Sequence, residues 1–142
     1  MDFQSDDDLK RIADGIRDRT LPKAEWTHAA HFAAAVWLLS EPGCDPFAEM
    51  PGIIRAYNEA TGVVNSDTDG YHETITRASL SAAKAWIDVL PDDMPLHERL
   101  NRLLVSDLGR SDWLFAYWSR ELLFSPRARR EWVAPDLAQP PF

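Results

Sequence analysis

The sequence predicts an all-α protein: a single-domain bundle of about six to seven helices over residues 1–142, with an extended, proline-rich tail at 133–142. Three observations carry this. Apolar residues recur at helical spacing in segment after segment. Ser, Asp and Pro stand at the starts of these segments, and Gly or Pro follow their ends, as caps and breakers do. No stretch alternates apolar and polar residues for long enough to read as a strand.

Each element follows from such signals. Ser5 caps a first helix, with acidic residues in its opening turn and Leu9, Ile12, Ala13 and Ile16 at helical spacing. It ends near Arg19. A second helix runs from about Thr27 to Ser40 and stops at Glu41-Pro42-Gly43. Asp45-Pro46 opens a third segment, which Pro51 interrupts and which resumes from Gly52 to about Ala60. The span from Thr61 to Gly70 is the longest irregular interior stretch. A fourth helix is expected from Tyr71 to Val89 and a fifth from about Pro95 to Val105. A sixth carries the aromatic run at 113–118, with Ser111 as its cap, and a short seventh runs from Ser125-Pro126 to Trp132.

Composition narrows the function classes. At 142 residues and 45% hydrophobic, the chain can bury a proper core as one domain. A net charge of -8 argues against nucleic acid, whose binding needs clustered Lys and Arg, and against an anionic membrane surface. The basic cluster Arg127, Arg129 and Arg130 is expected to be offset by Glu131 and Asp136. Cys44 stands alone and cannot form an internal disulfide, which fits a reducing compartment. The acidic N-terminus has no apolar run. The longest uncharged stretch, Trp26 to Ser40, falls short of the roughly 20 residues a membrane span needs. A cytoplasmic protein is expected.

The second helix is the unusual one. Between Trp26 and Leu39 its only polar side chains are Thr27, His28 and His31, and Ala29, Ala30, Ala33, Ala34 and Ala35 let neighbours come close. A helix apolar all round belongs in the middle of a bundle. His28 and His31, three residues apart, share a face. Buried imidazoles need partners, so the pair is either hydrogen-bonded in the core or shares a ligand, most simply a metal ion. In the fourth helix His72 falls at the edge of the apolar stripe and looks into the bundle. Glu73 points toward solvent and an i,i+4 ion pair with Arg77. Three histidines and an optional carboxylate suit zinc, iron or nickel. His97, beside Glu98 and Arg99, reads as a surface residue. No Gly-rich phosphate loop, G-x-S-x-G elbow or kinase signature occurs.

Three stretches carry a resemblance: EWTHAAHF, then RAYNEATGVVNSDTDGYHETITR, then YWSRELLFSPRARREWVAPDL. Together they resemble an uncharacterised family of small bacterial proteins. That family is marked by W/F-T-H-x-A-H, Y-N-x-x-x-G-x-x-N and G-Y-H-E-T-x-T segments, with no activity attached. What the resemblance implies is a set of positions: His28 and His31; Tyr57, Asn58 and Asn65; Tyr71, His72, Glu73 and Thr74. It draws Glu73 back toward a site from which its helical position turns it away.

The expectation is therefore a histidine-lined site in an apolar bundle, binding a divalent metal or a small polar ligand. If catalytic, metal-assisted hydrolysis or lyase chemistry fits best. His28, His31 and His72 would hold the ion, with Glu73 as fourth ligand or general base; a metal-free alternative is acid–base catalysis by the pair His72 and Glu73. Tyr57, Asn58, Asn65 and Tyr71 would contact the ligand. The alternative is a non-catalytic interaction module with structural histidines. Its aromatic C-terminal helix would serve as a surface for a partner or for a second copy in a homo-oligomer.

Overall fold

The computed structural model describes residues 2–142, and among them the fold is all-α. Seven α-helices are found: α1 Asp6–Arg17, α2 His28–Ser40, α3 Pro46–Ala60, α4 Glu73–Asp88, α5 Leu96–Val105, α6 Arg120–Leu123 and α7 Pro126–Arg130. Short 3-10 turns lie at Lys23–Glu25, Asp107–Gly109 and Trp113–Ala116. No described helix is long and apolar enough to cross a membrane.

Helix α2 lies at the centre, packed against α1, α3, α4 and α5. Its small residues make this possible: Ala30, Ala33, Ala34 and Ala35 are at most 2% exposed, and Phe32, Val36 and Leu38 fill the space around them. Helix α1 closes over α2, and its start is fastened to α5 through Phe3 and Asp6. Asn101 Oδ1 accepts from the Phe3 N–H at 2.9 Å, and Asn101 Nδ2 donates to the Phe3 carbonyl at 2.9 Å. The Asp6 carboxylate accepts from the His97 N–H at 2.9 Å and lies 2.7 Å from its Nδ1. His97 thus joins two helices rather than standing on the open surface.

The cap at Ser125 was legible, whereas the start of α6 was not. Ser119 and Ser125 accept from the N–H groups of Leu122 and Ala128, each at 3.2 Å, starting α6 and α7. Pro51 does not interrupt α3, which is continuous from Pro46 to Ala60. The bond it removes would end on Phe47, whose side chain is on the open face, where water can serve its carbonyl. The expected sixth helix breaks into a 3-10 turn and α6, and Ser111 does not cap it: the turn starts after Asp112 without a side-chain cap, and Ser119 starts α6. The run of Trp, Phe and Tyr is weakly helix-forming, and packing prevails: Trp118 is fully buried and donates from Nε1 to the Val133 carbonyl at 3.0 Å. The tail is extended as expected. Its Leu137 N–H donates to the Tyr117 carbonyl at 2.9 Å, and Phe142 packs edge-on against Trp113 and Tyr117.

Candidate functional site

His28 and His31 lie in the first turn of α2, directly after the Thr27 cap, whose hydroxyl accepts from the Ala30 N–H at 3.2 Å. Each ring is held by a backbone carbonyl. His28 Nε2 lies 2.8 Å from the carbonyl of Leu108, and His31 Nδ1 lies 2.7 Å from that of Thr27. A carbonyl only accepts, so these nitrogens carry the protons, and His28 Nδ1 and His31 Nε2 are left with bare lone pairs. The Leu108 carbonyl is delivered by the turn after α5. That turn is tight because residue 109 is glycine: a Cβ there would fall 1.7 Å from the Leu104 carbonyl oxygen.

His31 also stacks on Trp26, ring centroids 3.7 Å apart. Burial pushes its pKa down to about 4, outweighing the Thr27 hydrogen bond that favours the charged form; neighbouring His28 adds to the depression. The ring is neutral at physiological pH. Both histidines line a cavity of about 310 Å³ whose other walls include Phe32, Ile75, Trp113 and Leu114, with the hydroxyls of Ser79 and Ser111. The lining is mainly apolar, with a few convergent polar groups, as small-molecule sites are.

His72 does not join them. It faces inward and is buried, but it is the N-cap of α4: its Nδ1 accepts from the Ile75 N–H at 3.1 Å. Its Nε2 donates to the Leu123 carbonyl at 2.6 Å. Both nitrogens are spent, and burial, together with the charge of Arg129, lowers the pKa. Among the described residues no group of three or more His, Cys, Asp or Glu side chains is placed to hold a metal ion. The expected convergence of His28, His31 and His72 is therefore not found, because the third ring is committed to capping.

The remaining expected residues fall in two other places. Tyr57 is in the core, 1% exposed, with its hydroxyl donating to the Leu21 carbonyl at 2.7 Å. Asn58 Nδ2 donates to Asn65 Oδ1 at 3.0 Å, and that oxygen also accepts from the Tyr71 N–H at 3.0 Å. Asn65 Nδ2 reaches the Arg55 carbonyl at 3.1 Å. Asn65 thus locks the 61–72 loop onto the end of α3. Glu73 is turned neither to the histidines nor to Arg77: it accepts from the Tyr71 hydroxyl at 2.7 Å, while Arg77 lies over the Trp132 ring. Burial, then this bond to Glu73, raises the Tyr71 pKa.

Sequence reasoning missed the arginines. Asn65 and Tyr71 line a smaller pocket with Arg55, Arg129 and Arg130. Of the expected local compensation, only Arg127 with Glu131 forms, at 2.8 Å; Asp136 instead accepts from the N–H and hydroxyl of Ser119. The cluster itself was visible in the sequence, but its company was not. The chain matches no protein-family model, no curated protein and no solved structure.

Proposed function

We propose that the cavity beside His28 and His31 binds a small, largely apolar molecule through a polar group that donates hydrogen bonds to the two imidazoles. The observation that carries this is the pair of carbonyl-held, oppositely oriented tautomers, which leaves two acceptor nitrogens on rings lining one mainly apolar cavity. A volume of about 310 Å³ suits one or two rings; a closed apolar cavity of about 150 Å³ already admits benzene.

Catalysis has less support. A general base works best with a pKa near the working pH, and about 4 leaves His31 an acceptor rather than a base. A divalent metal also takes neutral imidazole nitrogen, yet the pair lacks a third protein ligand of the usual kind. The competing role is structural. Its support is that each histidine already has one backbone partner and an aromatic neighbour, Trp26 for His31 and Phe32 for His28.

The test compares phenol with toluene, which differ by the donor hydroxyl, in NMR titrations of the ring protons of His28 and His31. Ligand binding predicts saturable shifts with phenol, a clear preference for phenol over toluene, and loss of that preference in His31→Phe. Absence of saturable shifts with either compound would leave the histidines as core residues.

A further inference from the structure

Apart from the histidine cavity, three arginines from distant parts of the chain meet in one pocket. Arg55 comes from α3, Arg129 and Arg130 from α7, and the 61–72 loop closes the third side with Asn65, Asp67 and Tyr71. We propose that this pocket binds a small oxyanion of the phosphate type, free or as a monoester.

The charge is uncompensated where it would be easiest to compensate. The chain carries a net charge of -8, yet the pocket lining holds three arginines against one aspartate. Asp67 is 3.4 Å from Arg130, both well exposed, which makes a weak pair. Arg55 and Arg129 have no carboxylate within ion-pair distance among the described residues. Arg55 lies over the Tyr71 ring, 4.4 Å from its centroid, a contact that fixes a guanidinium without using its donors.

Arg129 is held by a single bond from Nη1 to the Gly70 carbonyl at 3.0 Å, and its Nε is buried with no partner. The guanidinium of Arg129 lines the pocket with no carboxylate beside it, so an oxyanion there gains a charge-assisted contact. Two of the three guanidiniums are thus positioned by groups that are not anions, leaving their charge for a ligand. The pocket's volume, about 160 Å³, is below the range of drug-sized sites and suits one compact anionic group. Two uncompensated positive charges favour a dianion over a monocarboxylate.

Titrating inorganic phosphate into ¹⁵N-labelled protein at constant ionic strength tests this. Saturable amide shifts are expected at Asn65, Ser66, Gly70 and Arg129. Arg55→Gln, which removes a side chain free of hydrogen bonds, should weaken binding by about tenfold, the loss of one charge-assisted contact. Asp67→Asn should tighten it. Arg129→Gln should abolish it, and if that variant fails to fold, Arg55→Gln carries the test alone. Glycerol phosphate in parallel separates the sources: tighter binding of either compound supports the proposal and names the free ion or the monoester. No saturable shifts, unchanged affinity in Arg55→Gln, or acetate binding as tightly as phosphate would overturn it.

Discussion

The ring of His72 bridges the first turn of α4 and the end of α6: Nδ1 accepts from the Ile75 N–H while Nε2 donates to the Leu123 carbonyl, 51 residues further along the chain. One side chain thereby caps a helix and ties the C-terminal segment to it. His72→Ala removes the cap and leaves the Leu123 carbonyl unpaired, so a loss of roughly 2–3 kcal/mol is expected in urea unfolding. His72→Asn, which can still cap, should recover part of it. A metal-ligand role predicts a different result, little loss of stability in metal-free protein.

Acid should weaken the fold through His31. Its folded-state pKa of about 4 lies below its unfolded value of 6.5, so between these the unfolded chain binds more protons. Stability contributed by the neutral ring is complete above about pH 6.5 and is lost as pH falls toward 4. His72, shifted the same way, adds to the slope. Urea midpoints across this window should fall on acidification, and His31→Phe should flatten the curve.

Gly70→Ala should be costly beyond its location in a loop. Gly70 has φ 79°, and a Cβ there would come 2.6 Å from both Asn65 Oδ1 and the Val64 carbonyl oxygen. A left-handed residue with a side chain costs about 1–2 kcal/mol, and the clash disturbs the oxygen that holds Asn58 and Tyr71. A thermal melt should fall by several degrees. Amide shifts should spread through 58–72.

Zinc should bind weakly. With only the nitrogens of His28 and His31 left open, protein purified without a nickel column is expected to hold substoichiometric metal, measured by plasma emission. Stoichiometric zinc lost in His28→Ala would restore the metal expectation.

What the sequence made legible was local. Asp45 and Ser125 cap helices wherever the rest of the chain goes, and the apolar girth of α2 implies its central place. His28 and His31 announced themselves because nothing else on that helix is polar. His72 was misjudged because a wheel shows direction but not the carbonyl waiting at Leu123. The arginine pocket was hidden for a similar reason. Arg55 and Arg129 are brought together by the Asn58–Asn65 lock and by the Gly70 carbonyl, neither of which periodicity can show.

The fastening of Phe3 and Asp6 to Asn101 and His97 also has a bearing on how the molecule comes into being. During synthesis Phe3 and Asp6 leave the ribosome more than ninety residues before their anchors exist. The apolar side of α1, with Leu9, Ile12 and Ile16, can close over α2 early, but the bonds that fix its entry segment must wait for α5. Contacts of such long sequence separation slow folding, because the loop must close before it is rewarded. The N-terminal segment is therefore only loosely fixed through most of translation. The Asp6, Asp7 and Asp8 run at its head gives that segment charge to stay dispersed while it waits.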